Sequence, residues 1–216
     1  MGKADEYWNE KLKDYSVKDW ANKSTIFINQ ILEYFPSAGK VLELAAGLGR
    51  DSIHLARSGF DVICTDSSDF GLREAQRSVR KDNLPIKFQK VILPDLLPFK
   101  SDEFEVVYSH LGLHYFSKQD TRALFEDIRR ILKANGTFAA LFNSVDDPEI
   151  KESGFVQIEK DYYHEISTGL LKRYFSVEST KELIEGLFEP IILDHEGITY
   201  KDGESKLIRL VAKPSK

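Results

Sequence analysis

Val41-Leu42-Glu43-Leu44-Ala45-Ala46-Gly47-Leu48-Gly49-Arg50-Asp51 is the stretch whose reading decides the fold. Val41–Ala45 is a short apolar run of buried-strand length. Gly47-Leu48-Gly49 breaks it, and Ile53, Leu55 and Ala56 then recur as a short helix that Gly59 ends. Phe60–Cys64 is a second strand, closed by Thr65-Asp66-Ser67-Ser68. A strand, a glycine loop, a helix and a second strand make the first unit of a parallel sheet.

The pattern continues outward in both directions. Leu72, Ala75 and Val79 mark a helix. A third strand spans about Ile86–Ile92, and Phe104–Tyr108 is a fourth. Ser117 is an N-cap with Asp120 three residues on, and Leu124, Phe125, Ile128, Ile131 and Leu132 form the clearest helical stripe in the chain. Asn135-Gly136 ends that helix, and Thr137–Phe142 is a fifth strand. Ser176 or Ser179 starts a helix carrying Leu183, Ile184 and Leu187. Ile191–Asp194 and Lys206–Ala212 read as two final strands turning at Lys201-Asp202-Gly203. Before the first strand, Tyr7, Trp8, Tyr15 and Trp20 stand in a polar segment, followed by Ile28, Ile31, Leu32 and Phe35 at helical spacing. The expected fold class is α/β: a three-layer α/β/α sandwich with a mostly parallel sheet and an antiparallel C-terminal hairpin.

Composition bounds the function. With 216 residues and 42% hydrophobic content, the chain has material for one sizeable core, so a single domain is expected. Its formal net charge is −5 and no Lys/Arg run builds a basic face, which argues against nucleic acid as a partner. The one cysteine, Cys64, lies in an apolar run and reads as a small buried hydrophobe. It excludes an intramolecular disulfide and a Cys/His zinc site, so no metal is expected. The start carries no apolar signal core, and no stretch approaches the ~18–20 apolar residues that span a bilayer. The expectation is a cytoplasmic protein with no membrane partner.

Ligands of open parallel sheets bind at the carboxyl ends of the strands, so the loop after the first strand is the first candidate. Its glycines allow close backbone approach and positive φ. Asp66, ending the second strand, can accept hydrogen bonds from two ribose hydroxyls. The ligand is therefore read as a nucleoside cofactor. A dinucleotide fingerprint needs a third glycine where Ser52 stands. The carboxylate of Glu43 suits a cationic ligand and faces a pyrophosphate poorly. S-adenosylmethionine, with its ammonium and sulfonium, is preferred over NAD.

Glu43-x-Ala45-x-Gly47-x-Gly49 resembles motif I of class I S-adenosylmethionine-dependent methyltransferases, with alanine in place of the first glycine. Gly49–Ala56 and Gly59–Val62 are similar to the small-molecule subgroup that includes tellurite-resistance and thiopurine methyltransferases. Phe104–Ser109 and Leu132–Thr137 match the fourth-strand motif and the turn into the fifth strand. The resemblance covers about residues 38–143. It implies the strand order 3-2-1-4-5-7-6 and divides the domain into an N-terminal helical lid over 1–36, a cofactor-binding core over 38–143, and an acceptor-side segment with the hairpin over 144–216. It also implies methyl transfer to a small molecule by direct displacement, with S-adenosylhomocysteine as product. Cofactor contacts carried by it are Glu43, Ala45, Gly47, Gly49, Asp66, Ser67, Asp95, Leu96, Ser109 and His110. Asp95 would meet the adenine amino group, although an Asp beside Pro94 also simply makes turns.

Ser109–Phe116 would face the methyl group and the acceptor. His114 is the candidate general base, with packing or substrate contact as the plainer role. Trp8, Tyr115 and Asn143 complete the substrate side. The N-terminal aromatics read equally as a lid or as staples on the sheet. Tyr162, Tyr163, His164 and Arg173 either line the acceptor pocket or are solvated. Arg50 and Asp51 pair with each other at the helix start, in this reading. No Asn/Asp-Pro-Pro-Tyr motif follows the fourth strand, which counts against methylation of nucleobases or glutamine. A cofactor-binding protein without turnover and a nicotinamide oxidoreductase are the competing functions. The oligomeric state is expected to be monomer or homodimer.

Overall fold

The computed structural model describes residues 3–80, 82–200 and 206–216. Helix α1 (Lys3–Ser16) is followed by α2 (Ile26–Ile31), which runs into a single 3₁₀ turn over Leu32–Tyr34. The alternation then proceeds as β1 (Lys40–Glu43), α3 (Arg50–Arg57), β2 (Asp61–Asp66), α4 (Asp69–Val79), β3 (Ile86–Lys90), β4 (Phe104–His110), α5 (Lys118–Ile131) and β5 (Leu132–Phe142). Three short strands follow: β6 (Phe155–Glu159), β7 (Tyr162–Glu165) and β8 (Leu170–Arg173). The chain ends with α6 (Val177–Ile184), β9 (Phe188–Gly197) and β10 (Leu207–Pro214).

The main sheet has seven strands in the order β3-β2-β1-β4-β5-β10-β9. β1 through β5 pair in parallel, and β10 runs antiparallel to both β5 and β9. This is the order the resemblance implies, with β9 and β10 as the last hairpin. The turn expected at Lys201-Asp202-Gly203 lies outside the described residues.

Period-2 alternation divides the core between two faces. Val41, Val106, Ala139 and Val211 pack with Phe27, Ile28 and Leu55 on one side. Leu42, Val107, Phe138 and Leu210 pack with Leu124, Phe125 and Ile128 of α5 on the other. Each apolar α5 side chain so buried contributes about 1.5–3 kcal/mol relative to exposure. Ser117 caps α5, accepting from the Asp120 N–H, as its position in the sequence predicts. Ser176 and Ser179 cap α6 reciprocally.

The sequence reading differs from the structure at three places. α5 stops at Ile131, because Leu132 turns extended (φ −78°, ψ 137°) and is itself fully buried. Residues 133–136 are then taken up as an irregularity within β5: Phe104 pairs with Leu132, and Val106 with Thr137. β3 ends at Lys90, which frees Val91, Ile92 and Leu93 from the ladder. The segment expected as a polar connection contains a separate three-stranded antiparallel sheet, β6-β7-β8. No described helix is long and apolar enough to cross a membrane.

Candidate functional site

β1 has β2 on one side and β4 on the other, so strand order reverses at β1. A crevice opens there, beyond the strands' carboxyl ends. Glu43, Asp66, Lys90 and His110 are the last residues of β1 to β4, and Asn143 follows β5; all five line one cavity of about 960 Å³.

The loop after β1 has left-handed backbone at alternate residues: Ala45 (φ 54°), Gly47 (φ 57°) and Gly49 (φ 66°). This accounts for the spacing of small residues. At Gly49 a Cβ would fall 2.7 Å from the Cβ of Ala75, so this glycine sets how closely the loop packs on α4. Ala45 adopts the same conformation with a side chain, at a cost of roughly 1–2 kcal/mol. The Ala46 N–H donates to the Thr65 carbonyl (2.8 Å), and the Gly47 N–H donates to Asp66 Oδ2 (2.7 Å). The other Asp66 oxygen accepts from the Ser68 N–H (2.7 Å). Asp66 thus shapes the loop and lines the cavity at once.

Two buried carboxylates stand at the start of α3. Glu43 is 3% exposed and accepts a hydrogen bond from the Ser52 hydroxyl. Burial, with the charge of Asp51 beside it, holds its carboxyl well above the ordinary carboxylate range. Asp51 is 1% exposed and does not pair with Arg50. Its Oδ1 accepts from the Thr25 N–H (2.7 Å), and its Oδ2 from the Thr25 hydroxyl (2.8 Å) and the Tyr108 hydroxyl (2.7 Å). Successive helical residues point to different sides, so Arg50 turns away and lies over the Trp20 ring at 5.0 Å. Both Arg50 and Asp51 line the cavity. Burial pushes the Cys64 thiol up, in keeping with a packing role.

α1 lies over the opening. Asn9 Oδ1 accepts from the Ser68 hydroxyl (2.7 Å) and the Phe70 N–H (3.1 Å), tying α1 to the start of α4. Trp8 packs edge-on to Tyr115 (5.7 Å) and Tyr15 to Trp20 (5.2 Å). Tyr7, Trp8, Tyr15 and Trp20 all line the cavity, so the N-terminal aromatics are brought to the site.

Of the residues expected at the cofactor, Glu43, Ala45, Gly47, Asp66, Ser67 and His110 line this cavity. Gly49 and Ser109 stand behind it; the Ser109 hydroxyl donates to the Leu44 carbonyl (2.9 Å) and fixes the loop. Asp95 and Leu96 are not brought to it: Asp95 is exposed and Leu96 is 78% exposed. With β3 ended at Lys90, Val91, Ile92 and Leu93 occupy that wall, and it is apolar.

On the substrate side, Trp8, His114, Tyr115 and Asn143 are all in the lining. His114 is buried, its ring 4.2 Å from that of Tyr115. Tyr162, Tyr163, His164 and Arg173 stand outside the lining. Arg173 instead donates to the Phe116 carbonyl (3.0 Å) and pairs with Glu159. The register that pairs Val156 with His164 and Leu171 turns these three away from the cavity, while Glu165, Leu170 and Lys172 face it. Burial works against the Lys172 charge, but Glu149 (3.4 Å) and Glu165 (3.1 Å) outweigh it and hold the ammonium above the ordinary lysine value. Nothing in the sequence pattern pointed to Thr25, Asp51 and Tyr108 as a network, because its members lie on three separated segments.

Residues 41–136 match a family described as methyltransferase domain. An uncharacterized methyltransferase of Synechocystis is 33% identical over 100 residues, covering 46% of this chain and 45% of that protein. A glycine/sarcosine N-methyltransferase of Parasynechococcus marenigrum is 29% identical over 144 residues, covering 61% and 50%. The chain thus spans less than half the length of the first relatives it matches. Among solved structures, the PH0226 protein of Pyrococcus horikoshii superposes with a TM-score of 0.72 at 21% identity, over 94% of this chain and 99% of that one. A 1,6-didemethyltoxoflavin-N1-methyltransferase of Burkholderia thailandensis gives 0.73 at 16% identity, over 99% and 87%.

Proposed function

We propose that the protein, whose residues 41–136 match a family described as methyltransferase domain on a sheet of Rossmann-like order, transfers a methyl group from S-adenosylmethionine to a small-molecule acceptor. The observation that carries this reading is the convergence of five strand ends on one cavity that has both an acid-rich and an aromatic side.

The residues fit this cofactor by chemistry. Glu43 and Asp51 are two buried acids on one wall, a setting for an ammonium and a poor one for a pyrophosphate. Arg50 lines the same cavity and offers a cation to the α-carboxylate. Asp66, with its loop-side lone pairs already ordered by the Gly47 and Ser68 N–H groups, accepts from the ribose hydroxyls. Val91, Ile92 and Leu93 make an apolar wall for the adenine ring. When bound, S-adenosylmethionine supplies an electrophilic methyl that an acceptor lone pair displaces in line from sulfur, leaving S-adenosylhomocysteine.

The chain's own contribution is positioning and exclusion of water. Trp8 and Tyr115 close the acceptor side under α1, holding the nucleophile near the donor in a dry cavity. His114 is the group on that wall able to take the acceptor's proton, and Asn143 the one able to orient a polar substituent. Two relatives whose names specify an acceptor, a glycine/sarcosine N-methyltransferase and a demethylmenaquinone methyltransferase, are named for small molecules, which supports a small acceptor here. The Glu43–Asp51 pair weighs against a nicotinamide dinucleotide.

The test is calorimetric titration with S-adenosylmethionine, S-adenosylhomocysteine and NADH, beside an Asp66→Ala variant. Micromolar binding of the first two, lost in the variant, supports the reading; binding of NADH alone overturns it. Turnover of a small acceptor panel then separates an enzyme from a cofactor-binding scaffold. There His114→Asn is expected to lower kcat about 10²-fold with cofactor affinity unchanged.

A further inference from the structure

A second cavity, of about 630 Å³, lies on the far side of Arg50, between the segment joining α1 to α2, the exposed face of α3 and the flank of α4. Arg50, Ile53, His54 and Arg57 fall at i, i+3, i+4 and i+7 and so share one face of α3. Lys23 faces them across the cavity. Among the described residues three cations therefore line it, and Glu74 is the one carboxylate, itself 3.4 Å from Arg77. Arg57 reaches Asp82 with one guanidinium nitrogen (2.6 Å) and keeps its other donors.

Arg50 Nη1 and His54 Nε2 are buried and have no hydrogen-bond partner. A buried polar group left unpaired costs folding free energy, so these two atoms are free to pair with ligand oxygens, although Arg50 lines the methyl-transfer cavity as well. The chain as a whole carries a net charge of −5, which makes a cation-lined cavity stand out. The overall charge also disfavours a polyanion such as nucleic acid, whose affinity comes from a broad basic face. The volume of this open cleft is that of a small-molecule site. Arginine forks and an ammonium match the oxygens of a phosphate group.

We infer that this cavity binds the phosphate group of a small phosphorylated molecule, beside the methyl-transfer cavity, with which it shares Leu48, Arg50 and Tyr200.

The probe is sodium pyrophosphate, titrated calorimetrically into the full-length protein at fixed ionic strength, with sodium chloride as the blank. Lys23→Ala/Arg57→Ala is the comparison variant, since both side chains are exposed and neither belongs to the cofactor cavity. The expected result is saturable one-to-one binding, weakened about tenfold or more in the double variant. S-adenosylhomocysteine affinity, measured in the same samples, is expected to stay within about twofold, which shows the variant is folded. Absence of saturable binding overturns the inference, as does equal binding by the variant. A single-stranded RNA oligonucleotide that binds more tightly than pyrophosphate overturns the assignment to a small ligand.

Discussion

A Cβ added to Gly112 would fall 2.4 Å from the Cβ of Ala45. The loop after β1 and the loop after β4 touch at this point, and the alanine standing where the methyltransferase motif it resembles has glycine takes up the space. Gly112→Ala is therefore expected to push the β1 loop off its position and weaken S-adenosylhomocysteine binding about tenfold or more, with roughly 1–3 kcal/mol lost in stability. Ala45→Gly removes both the methyl and the cost of its positive φ, and in the Gly112→Ala background it should restore part of the binding, since Ser109 Oγ still stands 2.9 Å from the added Cβ. A double-mutant cycle by calorimetry and denaturant unfolding measures that coupling. Additive effects would mean that the two positions are independent.

Glu43 makes apo stability depend on pH. Burial and Asp51 raise its folded pKa above the ordinary value of 4.5. A carboxyl so raised stabilises the fold fully below that value, and the stability is lost as pH rises through the raised pKa. The loss is at most about 1.4 kcal/mol per pH unit. Thermal unfolding from pH 4.5 to neutrality should show it, and Glu43→Gln should flatten the slope. A bound ammonium offsets the ionised acids, so stabilisation by S-adenosylhomocysteine should grow across the same interval. A wild-type slope equal to that of the glutamine variant would remove Glu43 from the account.

Much of this site was legible because strand ends and glycine spacing are written locally. Glu43 and Asp66 each close a short apolar run, and the Ala45/Gly47/Gly49 spacing corresponds to three left-handed residues. Other parts were not written that way. Asp51 reads as a partner of Arg50 from adjacency, whereas its real partners, Thr25 and Tyr108, are 26 and 57 residues away. Asp95 resembles a strand-end acid only if β3 runs on; the register pairing Asp66 with Lys90 ends the strand earlier and leaves Val91–Leu93 to line the cavity. β6–β8 are not legible because each has only four or five residues, and Tyr162–Glu165 and Leu170–Arg173 show no alternation, although Val156-Gln157-Ile158-Glu159 does.

Asn9 offers a test of the cover that touches no ligand-facing acid. Its side-chain oxygen accepts from the Ser68 hydroxyl and the Phe70 N–H, and it lies outside the cavity lining. Asn9→Ala should free α1 from α4 and raise the dissociation rate of S-adenosylhomocysteine about tenfold while changing association less. Stopped-flow quenching of Trp8 and Trp20 fluorescence would report both rates. An unchanged dissociation rate would make α1 a fixed wall.

Asp66 carries two duties, and two substitutions separate them. Asp66→Ala removes the acceptor for the Gly47 and Ser68 N–H groups as well as the ribose contact. It should cost about 1–3 kcal/mol of apo stability for each charge-assisted bond lost, and about 10²-fold in cofactor affinity. Asp66→Asn keeps one carbonyl oxygen for one backbone donor, so its stability loss should be about half as large. It turns the remaining oxygen into a donor amide, which opposes the backbone N–H it meets and leaves the ribose hydroxyls without a charged acceptor. Affinity should therefore fall nearly as far as in Asp66→Ala while stability does not. If the two losses track each other across both variants, Asp66 acts on the cofactor only through the shape of the loop.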